Sequence, residues 1–272
     1  MAQTHPTLSI IIPCYNHAHW LPIAIESALA QKEVAVEVIV VNDGSTDNTI
    51  EVASKYANVI LITQVNKGLA AARNAGLKRA TGTYASFLDA DDALTPYFGV
   101  KLIQATTNQN TNFAFCAHML TNANNDKLES IVHNFPTKLN LTSKLFNGGF
   151  FPPVCVLGKT TKWPEFPLNM DGHADYAVWM FLALSQESFA YTQEPLALYR
   201  ILVNSMSKNQ EHMERSLESA MQWCAAQQPQ LFFQSIRELQ IEHCQCLHLI
   251  ENLSKHRPTL IRKAIRKLKK LF

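Results

Sequence analysis

The sequence predicts an α/β fold: a mostly parallel sheet flanked by helices, followed by a helical C-terminal region. In about the first hundred residues, short runs of apolar and β-branched residues alternate with segments whose apolar residues recur at helical spacing. Strands that are apolar throughout are typical of a parallel sheet covered on both faces. Hydrophobic residues make up 47% of the 272 residues and charged residues 17%, which indicates a chain that folds around a large core.

The predicted elements follow one another in a regular order. Each strand is a short apolar run, and each helix carries its apolar residues on one face. Strands are expected at residues 8–13, 36–41, 59–63, 84–88 and 113–119, and helices at residues 20–31, 46–56, 68–80, 97–107 and 179–185. Residues 121–170 are rich in Asn, Gly and Pro, so we expect loops with short elements there.

The C-terminal part has a different character. From Asn209 onward the pattern is mostly helical, with a break near Pro229. We therefore divide the chain into an α/β domain at residues 1–207 and a helical region at residues 208–272, which ends in a basic amphipathic helix.

The cysteines and the hydropathy pattern indicate the compartment. The six cysteines lack the paired spacing of a zinc site and the density of a disulfide-rich secreted domain. The N-terminal residues lack the apolar stretch of a signal peptide, and no apolar run is long enough to span a membrane. We therefore expect a cytoplasmic protein with reduced thiols.

The end of the chain is a basic amphipathic segment. From Lys255 to Phe272 there are eight Lys and Arg residues and no acidic residue, whereas the rest of the chain has more acidic than basic residues. Such a helix either lies on an anionic membrane surface or docks on the protein with its basic face in solvent. The first alternative predicts a peripheral protein at the inner face of the cell membrane. A basic end on an acidic body does not indicate nucleic-acid binding.

Polar residues follow three of the predicted strands, at the point where each strand ends. Ligands of parallel α/β sheets bind at the carboxyl ends of the strands, so these side chains are expected to converge on one cleft. The three segments are Pro13-Cys14-Tyr15-Asn16, Asn42-Asp43-Gly44-Ser45 and Asp89-Ala90-Asp91-Asp92.

The third segment predicts a metal site. Asp89, Asp91 and Asp92 repel one another, and no basic residue lies beside them in the sequence. A hard divalent cation, Mg²⁺ or Mn²⁺, takes oxygen ligands of this kind, and Mg²⁺ combines one or two carboxylates with substrate phosphates. The alternative is that these residues cap the N-terminus of a helix.

The first two segments each allow two interpretations. Asp43 is either a ligand-binding residue or part of an ordinary tight turn in which Gly44 supplies a positive φ. Tyr15 either belongs to the core or stacks on a base. The phosphate loop of P-loop NTPases, the dinucleotide-binding glycine motif and the common hydrolase motifs are all absent from the sequence.

Four blocks of the sequence resemble, in order and spacing, those of the family 2 glycosyltransferases. The resemblance covers about the first hundred residues, and it implies a GT-A type fold, a nucleotide-sugar donor, a divalent metal and inversion at the anomeric carbon. The expected donor is a UDP-sugar. The blocks are Ser9–Asn16, Val40–Asp47, Asn66–Gly76 and Phe87–Asp92.

The resemblance also implies roles for individual residues. Pro13 and Tyr15 would line the base pocket, and Asp43 would accept a hydrogen bond from the base. Arg73 would lie near the nucleotide or diphosphate. The carboxylates would serve the ribose and the metal: Asp89 near both, Asp91 as the principal metal ligand and Asp92 as a second contact.

A later segment resembles the family's acidic pair before an aromatic-rich helix. Asp175 falls on the catalytic aspartate, while Ala174 replaces its usual acidic neighbour. An inverting reaction needs a base that deprotonates the acceptor hydroxyl, and a carboxylate suits that role. Asp171 and His173 are the rival bases, and a residue at a helix start is the structural alternative for Asp175.

The family's closing block is represented by Arg200, which the resemblance implies as a diphosphate contact. A histidine commonly follows two positions later, and this chain has Leu202 there. The expected acceptor is a cell-surface or lipid-linked glycan. Two other functions stay open: a non-catalytic nucleotide-sugar-binding protein, and a sugar nucleotidyltransferase, although the latter normally has a glycine-rich phosphate loop that is absent here.

Overall fold

The computed structural model describes residues 7–124, 126–132, 145, 151–168, 170, 172–202 and 210–238. These residues fall into two compact units. The first contains residues 7–132, 151–168 and 187–202, and the second contains Leu145, residues 170–186 and residues 210–238. The division of the chain at residue 207 stays a prediction.

The first unit is built on a sheet that has nine strands within the described residues. The strands are β1 (Leu8–Cys14), β2 (Val36–Asp43), β3 (Val59–Gln64), β4 (Tyr84–Phe87), β5 (Ala93–Leu94), β6 (Phe113–Thr121), β7 (Lys127–Ile131), β8 (Val156–Lys159) and β9 (Phe189–Arg200). Their spatial order is β3-β2-β1-β4-β8-β6-β9-β5, and β7 pairs with β6.

Strand direction decides where the strand ends lie. The four strands β1 to β4 are parallel to one another. Strand β8 is antiparallel to both β4 and β6, and β9 is parallel to β6. Strands β1, β2, β4, β6 and β9 therefore all run in the same direction, and their carboxyl ends lie at one edge of the sheet.

The helices of the first unit connect or cover these strands. Helix α3 contacts β1 and β2, and α4 contacts β6 and β9. A Cβ atom at Gly76 would lie 2.2 Å from Cγ2 of Ile11, so the close approach of α3 to β1 requires glycine there. The helices are α1 (Leu21–Leu29), α2 (Thr49–Ser54), α3 (Leu69–Arg79) and α4 (Phe98–Gln109).

The core explains why the central strands are apolar. Every residue of β1 is buried, as are the last six residues of β2. An aromatic cluster extends this core, because the ring of Trp163 packs edge-on against Phe87 and Phe113 at centroid distances of 5.0 and 5.1 Å. Its indole nitrogen donates a hydrogen bond to the carbonyl oxygen of Ala85 at 3.2 Å.

The described part of the second unit is helical. Its helices are α5 (Ala174–Leu184), α6 (Gln210–Gln227) and α7 (Pro229–Glu238), and α5 contacts both of the others. The rings of Phe181 and Trp223 lie 5.7 Å apart. The predicted break near Pro229 is confirmed, because α6 ends at Gln227 and α7 begins at Pro229.

No helix in the described part of the chain is long and apolar enough to cross a membrane. The basic segment from Lys255 to Phe272, for which membrane binding and docking are both predicted, lies outside the described residues.

Two strands in the second half of the sheet, β8 and β9, are not predicted from the sequence. Strand β8 lies in the region expected to form loops, and β9 is a twelve-residue strand where no strand is predicted. Pro195 lies within β9 at a point where the pairing with β6 changes register. A proline inside a strand is normally evidence against one, and the irregular pairing at this point accommodates it.

Candidate active site

The polar segments predicted from the sequence do meet at one edge of the sheet. We call this edge the polar edge, and define it as the last residues of β1, β2, β4, β6 and β9 together with the loops that follow them. Hydrogen bonds link these loops: the Thr46 backbone N–H donates to Oδ1 of Asn16 at 2.8 Å, and that of Arg200 donates to Oδ1 of Asp92 at 2.8 Å. The polar edge is therefore a connected structure.

The loop after β1 presents Tyr15 to solvent. Its side chain is 47% exposed, so the alternative that Tyr15 belongs to the core is wrong, and its ring is open to a ligand. The preceding Pro13 is buried at the end of the strand. The next residue, Asn16, has a φ of 56° and accepts the Thr46 bond, which fixes the loop beside Tyr15.

Asp43 ends β2 and organises a neighbouring loop. It is 3% exposed, its Oδ1 accepts hydrogen bonds from Nε2 of Gln64 at 2.7 Å and from the Lys67 backbone N–H at 2.9 Å, and its Oδ2 accepts one from the Gly68 backbone N–H at 2.8 Å. An ionised carboxylate has about four acceptor positions, so one is left for a ligand.

Gly44 forms the turn that follows. Its φ is 73°, as the tight-turn interpretation predicts, and a Cβ atom there would lie 2.6 Å from the backbone nitrogen of Asn66. The turn is closed by the Ser45 backbone N–H, which donates to Oδ1 of Asn42 at 3.0 Å. The segment is thus a tight turn that also places Asp43 at the polar edge.

Asp89 follows β4 and is held by Arg73. The Nη2 atom of Arg73 donates to Oδ1 of Asp89 at 2.8 Å, and the guanidinium carbon lies 5.4 Å from the ring centroid of Phe166. Arg73 is 1% exposed, whereas the Asp89 side chain is 25% exposed. Of this pair, Asp89 faces solvent and Arg73 supports it from the interior.

The aspartates of the third segment precede a strand. They are followed by β5, and α4 begins only at Phe98, so the alternative of a helix cap is wrong. Burial, and next the charge of Asp89, raise the pKa of Asp91. Burial, and then the charges of Asp91 and Asp89, raise the pKa of Asp92 well above its usual range. Asp91 and Asp92 therefore share a poorly solvated site, with the more exposed Asp89 beside them.

The three aspartates differ in what they face. Asp92 is 2% exposed and accepts the Arg200 hydrogen bond, so its carboxylate is engaged inside the protein. Asp89 and Asp91 are only partly buried. The predicted role of Asp92 as a second metal contact stays a prediction, and its placement favours a structural role.

The side chains that could hold a divalent cation at the polar edge are the carboxylates of Asp89 and Asp91. Within the described residues, no group of three or more His, Cys, Asp or Glu side chains is arranged to hold a metal by itself. Asp89 and Asp91 repel each other, and this repulsion contributes to the raised pKa of Asp91. Two such carboxylates fit a cation that takes its remaining ligands from a bound diphosphate and from water.

Three residues that the sequence analysis did not single out also belong to the polar edge. The charge of His17 acts on Asp91 and counteracts the rise in its pKa. The Trp20 ring and the Asn122 carbonyl both contact the side chain of Arg200. A signal for His17 and Trp20 was present, because both lie within six residues of the end of β1.

The predicted base lies in the second unit. Asp175 is in the first turn of α5, and its Oδ1 accepts a hydrogen bond from the Tyr176 backbone N–H at 2.8 Å. His173 precedes the helix with a φ of 35°, and Asp171 lies outside the described residues. The choice of Asp175 over these rivals stays a prediction.

Comparison with known proteins decides the family. The protein-family model described as glycosyl transferase family 2 matches residues 9–162. The chain belongs to this family. It is also 30% identical over 217 residues to Bacillus subtilis TuaG, provisionally named a teichuronic acid biosynthesis glycosyltransferase, a match that covers 77% of this chain and 84% of TuaG. Two Rickettsia proteins described as uncharacterized glycosyltransferases are 32% and 33% identical, and the chain spans only 33% of the length of each.

Solved structures confirm the predicted GT-A fold of this family 2 member. The S. aureus TarS fragment crystallised with UDP-GlcNAc is similar with a TM-score of 0.61 at 17% identity, over 92% of this chain and 71% of TarS. The mannosyltransferase PcManGT from Pyrobaculum calidifontis, in complex with GDP-Man and Mn²⁺, is similar with a TM-score of 0.59 at 12% identity, over 99% of this chain and 81% of that protein.

Proposed function

We propose that this family 2 member transfers a sugar from a nucleoside diphosphate sugar, most readily a UDP-sugar, to a hydroxyl group of a cell-envelope polysaccharide or lipid-linked glycan. The observation that carries the proposal is the polar edge, where the exposed Tyr15 after β1, Asp43 at the end of β2, and Asp89 and Asp91 after β4 lie at the same edge of the sheet. Its place at the carboxyl ends of parallel strands is where α/β proteins bind nucleotides.

The residues proposed to bind the donor can be assigned to the base, to the ribose and to a cation on the diphosphate. Tyr15 offers a ring face for the base beside Pro13, and the remaining acceptor position of Asp43 suits a base N–H. Asp89, held in place by Arg73, is available to the ribose and to a cation. The structure with bound UDP-GlcNAc among the fold relatives supports UDP, and the one with GDP-Man makes GDP the rival nucleotide.

Asp91 and Asp89 would hold Mn²⁺ or Mg²⁺. The cation, when bound, offsets the negative charge that develops on the departing diphosphate. Asp91 is suited to this role because burial and Asp89 disfavour its charge in the metal-free protein, and an added positive charge relieves that cost. The Mn²⁺ in the mannosyltransferase complex supports a metal in this fold.

The transfer step requires a base as well as a donor site. The acceptor oxygen forms a bond to the anomeric carbon as the bond to the diphosphate oxygen breaks, and the hydroxyl proton passes to Asp175. Attack opposite the leaving group inverts the anomeric configuration. The acceptor class is supported by the name of TuaG, and a membrane-bound acceptor would suit the predicted basic C-terminal helix.

Calorimetric titration tests the donor site. UDP and GDP are each added to the full chain with and without Mn²⁺, and the series is repeated on Asp91→Asn and on the control Glu51→Gln, which removes a carboxylate that is exposed on α2. We expect UDP to bind in the presence of Mn²⁺, with affinity at least about tenfold lower in Asp91→Asn and unchanged in the control.

Two outcomes would contradict the proposal. If neither nucleotide binds, with or without metal, the donor site is wrong. If UDP binds and the Asp175→Asn protein transfers sugar as fast as the wild type, or if the wild type transfers none to any envelope glycan, the protein is better described as a nucleotide-sugar binder.

A further inference from the structure

The Arg200 side chain donates hydrogen bonds to the backbone of two different loops at the polar edge. Its Nε atom donates a hydrogen bond to the carbonyl oxygen of Asp91 at 2.6 Å, and its Nη1 atom donates one to the carbonyl oxygen of Asn122 at 2.8 Å. The side chain thus connects the loop after β4 with the loop after β6. These two loops come from strands separated in the sheet by β8.

Two more contacts complete the arrangement. The guanidinium carbon lies 4.2 Å from the centroid of the Trp20 ring, so one face of the guanidinium is covered by the indole. The Arg200 backbone N–H donates to Oδ1 of Asp92. Four separate contacts therefore hold Arg200, and the residue is 4% exposed.

This geometry does not suit a diphosphate contact. An arginine that binds phosphate presents its planar fork of N–H donors to the ligand. Here two of the three guanidinium nitrogens, Nε and Nη1, donate to backbone carbonyls, one face of the guanidinium is covered by Trp20, and the side chain is buried. We propose that Arg200, with Trp20, is a positioning residue that fixes the loop carrying Asp91, and that it does not contact the donor diphosphate.

The loop needs such support because of its charges. Asp89, Asp91 and Asp92 repel one another, and Arg73 forms an ion pair with Asp89. Arg200 brings a buried positive charge to the loop but bonds only the backbone of Asp91, so the Asp91 carboxylate stays available to a cation. The inference rests on the proposed function only in naming that cation. The contacts of Arg200 with the two backbone carbonyls and with Trp20 do not depend on it.

The experiment uses the full chain and four variants of it. Arg200→Lys keeps the positive charge but replaces the rigid fork by a single ammonium group that cannot reproduce both carbonyl contacts and the stacking. Trp20→Leu removes the ring beneath the guanidinium, and Trp20→Phe, which keeps an aromatic face, is its matched control. Lys101→Met, which breaks an exposed ion pair with Glu194 on β9, controls for a general loss of stability.

Two readouts are taken on each protein. The first is hydrogen–deuterium exchange of residues 88–95 in the absence of ligands, which reports the order of the Asp91 loop. The second is the apparent affinity for Mn²⁺ at saturating UDP, followed through the electron paramagnetic resonance of free Mn²⁺, together with the KM for donor at saturating Mn²⁺.

We expect faster exchange at residues 88–95 in Arg200→Lys and Trp20→Leu, with Trp20→Phe and Lys101→Met close to wild type. Apparent Mn²⁺ affinity should weaken by about tenfold, while the donor KM at saturating metal changes by less than about threefold, as for loss of a residue that orients a metal ligand. If Arg200→Lys does not fold, Trp20→Leu decides the question by the same readouts.

A diphosphate contact gives the opposite pattern. If exchange at residues 88–95 is unchanged and the donor KM rises at saturating Mn²⁺, the positioning role is wrong. If hydrogen–deuterium exchange rises in Arg200→Lys and Trp20→Leu but wild-type protein binds no Mn²⁺ with any nucleotide, Arg200 does fix the Asp91 loop and the proposed function is wrong instead.

Discussion

Arg73 and Asp89 form an ion pair in which only the acid reaches solvent. The Nη2 atom of Arg73 lies 2.8 Å from Oδ1 of Asp89, and the two side chains are 1% and 25% exposed. The guanidinium is further packed against Phe166. The side chains of Arg73 and Asp89 therefore act as one unit, and the position of Asp89 depends on a residue that is itself buried.

Arg73→Met should lower both stability and donor affinity. Methionine fills much of the space but leaves Asp89 without its partner, and we expect a loss of about 2 kcal/mol, less than for a fully buried pair because Asp89 is partly solvated. Urea unfolding measures this loss. Lys55→Met, which breaks an exposed pair with Glu51, is the control and should cost less than about 1 kcal/mol. Equal losses in the two variants would mean that the Arg73 pair has no special role.

Asp43→Asn tests the loop that Asp43 organises. Either orientation of the amide turns an NH₂ group toward a donor that needs an acceptor, because both carboxylate oxygens accept hydrogen bonds. We expect a loss of about 1–3 kcal/mol in urea unfolding, together with weaker UDP binding. Gln64→Met removes one of the three bonds and leaves the two backbone N–H groups paired, so its effect should be clearly smaller. If the two variants behave alike, the backbone bonds to Asp43 contribute little.

Asp175→Asn should reduce turnover without loss of donor binding. A positioned base commonly contributes about 10²- to 10⁴-fold to the rate, and asparagine cannot accept the proton. Single-turnover transfer at saturating donor measures the step, with UDP titration alongside it. Asp171→Asn and His173→Gln are the comparison variants. A larger loss of rate in either of them than in Asp175→Asn would reassign the base.

Glu37 should make stability depend on pH. Burial by itself would raise the pKa of Glu37, but hydrogen bonds from Ser9, Thr81 and Gly82 outweigh it, and the pKa is lowered. An acid with a lowered folded-state pKa adds stability above the unfolded value, about 4.3, and this addition is lost as the pH falls through the folded value.

Wild type and Glu37→Gln should therefore differ in unfolding free energy by a constant amount above about pH 5, and the difference should narrow below about pH 4. Urea unfolding across this range measures it. Glu51→Gln, at an exposed position, should show little difference from wild type at any of these pH values. A gap between wild type and Glu37→Gln that is the same at pH 3 and pH 7 would contradict the assignment.

The first half of the fold could be predicted because β1, β2 and β4 are buried along most of their length. Strand β1 is apolar from Leu8 to Pro13 apart from Ser9 for that reason, and the predicted span is one residue short of the observed one. Strand β9 could not be found in this way, because its residues alternate irregularly between buried and exposed and Pro195 interrupts the ladder. Its partner β6 lies more than seventy residues earlier in the chain, and no local pattern encodes that pairing.

The candidate site also has a part that the sequence predicts and a part that it does not. The strand ends that carry Tyr15, Asp43 and Asp89 follow from the parallel order of the strands. What Arg73 and Arg200 do could not be read from the sequence, because a charged residue is expected at the surface and both are buried. Their partners lie 16 and 109 residues away, and only folding brings them together.

The acceptors that Arg200 uses on Asp91 and Asn122 are backbone carbonyls, and every amino acid carries one. The contact with Arg200 therefore places no direct requirement on the side chain at position 122. Selection on this contact would act on the residues that supply side chains, Arg200 and Trp20, and would leave little trace at position 122. Two related enzymes could then share the same support of the Asp91 loop while differing in the residue that receives it.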